Sequence, residues 1–152
     1  MTDAERYLDD RGLLAGMTAP EWWKRITIET FEQREDYLRR FGFAVPTEEA
    51  LDALLALGSL LEVGAGCGYW AYELRRRGAD VIAVDDGTGR YGLLGGTWTA
   101  GWTTVERMPA LEAVARWPDR NLLFVWPDYD ARWPADTLHA ATGVQHVAYV
   151  GE

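Results

Sequence analysis

The chain has 152 residues, 48% hydrophobic and 26% charged, the length of a single domain with one core. Its 24 acidic against 15 basic residues give a formal charge of -9, which speaks against a phosphate-binding surface, since that needs clustered lysine and arginine. No run approaches the roughly 18 apolar residues of a membrane span, the opening MTDAERYLDD lacks the apolar stretch of a secretory signal, and a single cysteine excludes an internal disulfide. The expectation is a cytoplasmic protein that contacts neither nucleic acid nor membrane.

Asp3 to Met17 has helical composition, weakened by Gly12 and Gly16. A second helix is predicted from Pro20 to about Phe41, with Thr18 or Ala19 near its cap and Pro20 in its first turn. Trp22, Ile26, Phe31, Tyr37, Leu38 and Phe41 give it an apolar side, Gly42 stops it and Pro46 follows. Thr47, Glu48, Glu49 and Ala50 resemble a capped helix start with early acids, and Leu51, Leu54, Leu55 and Leu57 supply its buried face. Residues 1–45 are read as a helical extension or lid, and 46–152 as the core of one domain.

After Gly58 the pattern changes. Leu60 to Val63 suits a buried strand, three glycines follow in LLEVGAGCGYW, a helix runs from about Tyr69 to Arg77, and Val81 to Val84 is a second strand closed by Asp85 and Asp86. Strand, tight turn, helix and strand in so short a span make the βαβ unit of a parallel sheet. The glycine-rich stretch Gly87 to Gly101 stays unassigned, with Trp98 and Trp102 set among small residues. Met108 to Trp117 reads as a helix, Asn121 to Trp126 as a strand, Pro134 to Ala141 as a helix and Val144 to Val150 as a strand. The class is α/β, with helices on both faces of the sheet.

Glycine permits positive φ and close approach of a ligand, which explains Gly64, Gly66 and Gly68 together. A nicotinamide dinucleotide fingerprint requires glycine or alanine where Tyr69 stands, and the loop has no lysine for a Walker sequence. The spacing is E-x-G-x-G-x-G instead, and Glu62 suits a ligand that carries a cation, such as the sulfonium and ammonium of S-adenosylmethionine. Asp85, at the end of the second strand, has the chemistry to accept hydrogen bonds from ribose hydroxyls, with Asp86 extending toward the adenine side. The competing reading is that both acids only cap a loop.

The stretch LLEVGAGCGYWAYELRRRGADVIAVD resembles motifs I to II of class I S-adenosylmethionine-dependent methyltransferases. AVPTEEALDAL, EVGAGCGYWA, LLFVWPDYD and VAYVGE are further similar to a family of small methyltransferase-like proteins, so the likeness runs from about Phe43 onward. It implies a Rossmann-like open parallel sheet of about five strands. Glu62, Gly64, Ala65, Gly66 and Gly68 would surround the methionine end of the cofactor and Asp85 would hold the ribose. Cys67 replaces the more usual Thr or Ser and packs or makes a weak hydrogen bond. Trp70 borders the ligand or belongs to the core.

WPDY, Trp126 to Tyr129, is similar to the N/D-P-P-Y/F motif of amino-group methyltransferases and to the WPPY variant of the smaller family. The likeness implies that Pro127 shapes a loop whose carbonyls meet the acceptor and that Tyr129 stacks on it. Trp126 and Asp128 depart from the motif. Asp128 adds a carboxylate to orient or deprotonate an acceptor, or else makes a local turn bond. Trp98, Trp102, Trp126 and Trp133 wall an apolar acceptor pocket or pack as core. His139 and His146 are isolated, and no metal site is expected.

Members of the class continue with a helix and an antiparallel strand pair, whereas this chain stops at Glu152, directly after VAYVGE. The sheet edge so left would be covered by N-terminal helices or a second subunit, and a homodimer is expected. The leading reading is a methyltransferase acting on a small-molecule acceptor and releasing S-adenosylhomocysteine. The alternative is a binding protein of the same fold with other chemistry or a non-catalytic partner role. A nicotinamide oxidoreductase comes third, opposed by Tyr69.

Overall fold

The apolar runs of this chain carry few alternating polar residues, so as strands they need cover on both faces. The computed structural model, which describes residues 1–25, 27, 31–88 and 101–151, pairs them in one sheet: β1 Leu60–Val63, β2 Val81–Asp85, β3 Glu106–Arg107, β4 Asn121–Val125 and β5 Val147–Val150. The order is β3-β2-β1-β4-β5, with every neighbouring pair parallel. This is the expected α/β class, a Rossmann-like open sheet with helices on both faces. β1 lies at its centre, all four residues buried. Val63 pairs with Val84 and with Phe124, so β1, β2 and β4 finish at the same end. Chain order reverses between β1 and β4, which opens a crevice beyond their carboxyl ends.

Seven helices frame the sheet among the described residues: α1 Asp3–Asp10, α2 Ala19–Lys24, α3 Phe31–Phe41, α4 Glu48–Leu55, α5 Tyr69–Arg76, α6 Ala110–Arg116 and α7 Trp133–Ala140. Strand residues alternate between faces. Leu60, Val81, Ala83 and Leu123 pack with Leu51 and Leu54 of α4 and Trp70, Ala71 and Leu74 of α5. Leu61, Val63, Val84, Leu122 and Phe124 pack on the other face with Ala113 and Val114 of α6, with Trp133 of α7 against them.

The N-terminal helices form a third cluster, in which Tyr37, Phe41, Trp22 and Trp23 meet Cys67 and Tyr69. Buried Glu73 of α5 is the polar anchor. It accepts hydrogen bonds from the Tyr69 hydroxyl (2.8 Å), the Asp3 amide (3.2 Å) and Arg77 (2.6 Å). Arg77 also reaches Glu48, at 2.7 Å, which ties α4 to the same group.

Two local expectations are corrected. The helix predicted from Pro20 to Phe41 is two helices, because Arg25 takes an extended backbone (ψ 91°) that ends α2. The sequence after it, Ile26-Thr27-Ile28, is β-branched and a poor helix former. The segment from Asp3 to Met17 is helical only to Asp10, beyond which Gly12 takes positive φ. The strand β3 follows the unassigned glycine-rich stretch and is two residues long. Among the described residues no helix is long and apolar enough to cross a membrane.

Candidate active site

A cleft of about 570 Å³ occupies the crevice. Its floor comes from the ends of three strands: Glu62 and Gly64 from β1, Asp85 from β2, and Val125 and Trp126 from β4. Phe41, Gly42 and Phe43 at the end of α3 wall one side. Met108 and Pro109, between β3 and α6, and Ala110 and Leu111 in the first turn of α6 wall another, and Trp133, Asp136 and Thr137 of α7 also line it.

The glycine loop is bonded to the sheet rather than left open. The Gly64 and Ala65 amides both donate to Val84 O (2.9 and 3.0 Å), and the Gly66 amide donates to Asp85 Oδ2 (2.9 Å). Asp85 Oδ1 accepts from the Gly87 amide at 2.8 Å. Each Asp85 oxygen thus holds one backbone amide and keeps a second lone pair for a ligand donor. Asp86 accepts from the amide and hydroxyl of Thr88, which hold its carboxyl below the usual carboxylate range.

The glycines serve different ends. Gly64 has φ +72°, and a Cβ there would stand 2.9 Å from the Trp133 ring. Gly68, the residue preceding α5, has φ +75°, and its Cβ would meet Val105 at 2.7 Å and Thr103 at 3.2 Å. The first glycine admits an aromatic wall of the cleft. The last admits the 103–105 segment against α5 and does not line the cleft.

Glu62 is the electrostatic centre of the site. It is 1% exposed, lines the cleft, and among the described residues its Oε2 has no hydrogen-bond partner. Burial pushes its carboxyl up to about 8, against the pull of the Ala71 amide and of Arg75, while Asp85 adds a smaller push. The Trp70 indole N–H, also buried and lining the cleft, has no partner among the described residues either. Orphaned buried groups are uncommon in folded proteins, and a ligand is one thing that satisfies them. Glu62, Asp85, Asp86, Asp128 and Asp136 line the cleft, and among the described residues no lysine or arginine does. Cys67 lines it as a buried thiol that burial raises to about 12, which leaves it inert.

At the end of β4 the backbone is strained. Trp126 has φ +49°, a left-handed conformation that bulky residues avoid, and Pro127 follows it. Its amide donates to Val150 O of β5 (2.6 Å), and its ring meets Trp23 edge-on at 6.3 Å between centroids. Strain of this kind concentrates at functional positions.

Of the residues expected at the site, Glu62, Gly64, Ala65, Gly66, Asp85, Asp86, Trp126, Pro127 and Asp128 line this one cleft. Gly68 lies behind it. Tyr129 is fully exposed and does not line it. Trp102 packs on Phe41, Tyr69 and Tyr72 and donates through its indole to Arg40 O, so it joins the N-terminal helices to α5. Trp98 lies outside the described residues. Sequence reasoning missed Met108 to Leu111, Phe41, Phe43, Asp136 and Thr137. No local sequence signal marked the first group: β3, two residues long, carries them to the cleft by pairing Glu106 with Val84 and Arg107 with Asp85. No family model, curated protein or solved structure compared with the chain gave a match.

Proposed function

We propose that the cleft binds S-adenosylmethionine and that the protein transfers its methyl group to a small-molecule acceptor. The observation that carries the reading is Glu62, a buried carboxyl with an unpartnered oxygen at the base of a cleft lined, among the described residues, by carboxylates and no basic side chain. A phosphate-bearing ligand is disfavoured in such a field. The amides of Gly64, Ala65 and Gly66 are already bonded to Val84 O and Asp85, so they are not free to cradle a pyrophosphate. This weighs against a nicotinamide dinucleotide.

The residues present fit the amino-acid nucleoside. Its ammonium complements the orphaned Glu62 oxygen and its carboxylate the orphaned Trp70 N–H. Its vicinal ribose hydroxyls suit the free lone pairs of Asp85. Met108, Pro109, Ala110 and Leu111 offer an apolar wall for a purine. The cofactor supplies an activated methyl group on a sulfonium; the chain's part is to orient the two reactants and exclude water. Trp126, Pro127, Phe41 and Phe43 shape the acceptor side, where Asp128 is the group able to align or take a proton.

A second reading, a binding protein without methyl transfer, is favoured by Tyr129, whose ring faces solvent rather than an acceptor. Calorimetric titration with S-adenosylmethionine, S-adenosylhomocysteine and NAD, repeated on Asp85→Asn, tests the proposal. Micromolar binding of the first two, no binding of NAD and weakening in the variant are expected. Binding of NAD alone, or of none, would overturn it. Methyl transfer to an amine or hydroxyl acceptor then separates the two readings.

A further inference from the structure

Glu62 does more in this site than offer a negative charge. The side chain is enclosed by β1 at the sheet centre, by Ala83 of β2 and Leu123 of β4 as its paired neighbours, and by α5 above. The polar groups that act on it are few: the Ala71 amide and Arg75 from α5, Asp85 from β2, and Cys67 from the loop. Arg75 is held elsewhere, donating to Val81 O at 2.9 Å, Thr103 Oγ1 at 2.6 Å and Thr104 O at 3.0 Å. Among the described residues Glu62 therefore has no ion pair, and its Oε2 has no donor. A buried carboxylate without a counter-ion is costly, whereas a buried carboxylic acid is tolerated.

We infer that Glu62 is the specificity-determining residue of the cleft and selects a ligand's cationic group by exchanging its own proton for it. In the empty protein the group is the neutral acid. When a ligand brings an ammonium to Oε2, the O–H bond breaks, the proton leaves to solvent, and carboxylate and ammonium remain as a pair. No other group changes protonation, so charge in the site is conserved: one positive charge enters and one leaves. A neutral nucleoside has nothing to trade and leaves the proton in place. The inference rests on the proposed cofactor and adds a recognition rule to it.

Binding would then depend on pH in a defined sense. Below Glu62's own value of about 8, each unit of acidity weakens a cationic ligand by up to tenfold, and above it the dependence flattens. Neutral ligands show no such slope.

The experiment is titration of the intact protein near pH 7 with S-adenosylhomocysteine and with 5′-methylthioadenosine, in buffers of different ionisation enthalpy. S-adenosylhomocysteine carries the ammonium; methylthioadenosine keeps the nucleoside and thioether but lacks the amino-acid end. The dependence of heat on buffer counts the protons released. Most of one proton is expected for the first ligand and none for the second, and Glu62→Gln abolishes release while still binding methylthioadenosine. S-adenosylhomocysteine binding without proton release, or unchanged release in Glu62→Gln, would overturn the inference and leave the cofactor assignment standing. If neither nucleoside binds, the cofactor assignment itself fails and the exchange goes with it.

Discussion

A carboxyl enclosed as Glu62 is keeps its proton in the folded chain up to pH about 8, while in the unfolded chain it titrates near 4.5. Between those values the folded state binds more protons, so stability falls as pH rises across that window and is unaffected below it. The empty protein should therefore lose, on the order of, a few kcal/mol between pH 5 and 8 that Glu62→Gln retains. Urea midpoints of the two proteins across this range measure it; parallel curves would show that Glu62 is ionised when empty. Gly68 offers a backbone test. Its φ of +75° and the 2.7 Å approach of Val105 leave no place for a methyl group, so Gly68→Ala should cost about 1–3 kcal/mol of stability, read by thermal unfolding. Cys67, buried and raised to about 12, should resist alkylation by iodoacetamide in the native protein and react once urea unfolds it.

Elements of this chain are held together by a few shared polar anchors. Glu73 of α5 receives the amide of Asp3, the hydroxyl of Tyr69 and the guanidinium of Arg77, and so locks α1 to the sheet layer. Removing it leaves the buried Tyr69 hydroxyl without its acceptor and takes one partner from the Asp3 amide and from Arg77, which keeps Glu48. Glu73→Ala should destabilise by about 3 kcal/mol, with Glu73→Gln recovering part, in chemical denaturation; an effect no larger than that of an exposed glutamate such as Glu112 would contradict the anchoring role.

The strands β1 and β2 and the helices α4 and α5 were legible in the sequence because each carries its own local signal: a continuous apolar run, Thr47 as a cap, Gly68 and Gly78 as punctuation. The two-residue β3 carries none. It exists through pairing with Val84 and Asp85, and the wall Met108 to Leu111 that it carries to the cleft was invisible for that reason. The break at Arg25 was missed because the apolar spacing from Trp22 to Phe41 continues through it. Of the two readings of Trp102, acceptor wall or core packing, the second holds: it stacks on Phe41. An aromatic in a loop has no sequence mark to say which surface it serves. Gly64 and Gly68 likewise look alike in the sequence, and only their neighbours, Trp133 and Val105, tell them apart.

At the scale of the whole molecule, charge and topology agree. In a chain of formal charge -9, five carboxyl groups among the described residues line the crevice where the strand order reverses. The N-terminal helices close one side through Phe41 and Phe43 and reach Trp126 through Trp23, so they form part of the cleft wall. Glu48, exposed but held near 2 by Arg77 and by the terminal amine, ties the chain's start to the same layer. Its contribution is present above the usual glutamate range and is lost as pH falls toward 2, which places the loosening of the N-terminal segment at strongly acid pH. The central claim is that this crevice receives an adenosyl amino acid with its ammonium on Glu62. A crystal structure of the protein grown with S-adenosylhomocysteine tests it most directly. The ribose hydroxyls are expected on Asp85, the ammonium on Glu62 Oε2 and the purine beside Met108 and Leu111. A ligand bound away from Glu62, or a crevice that stays empty at saturating ligand, would contradict it.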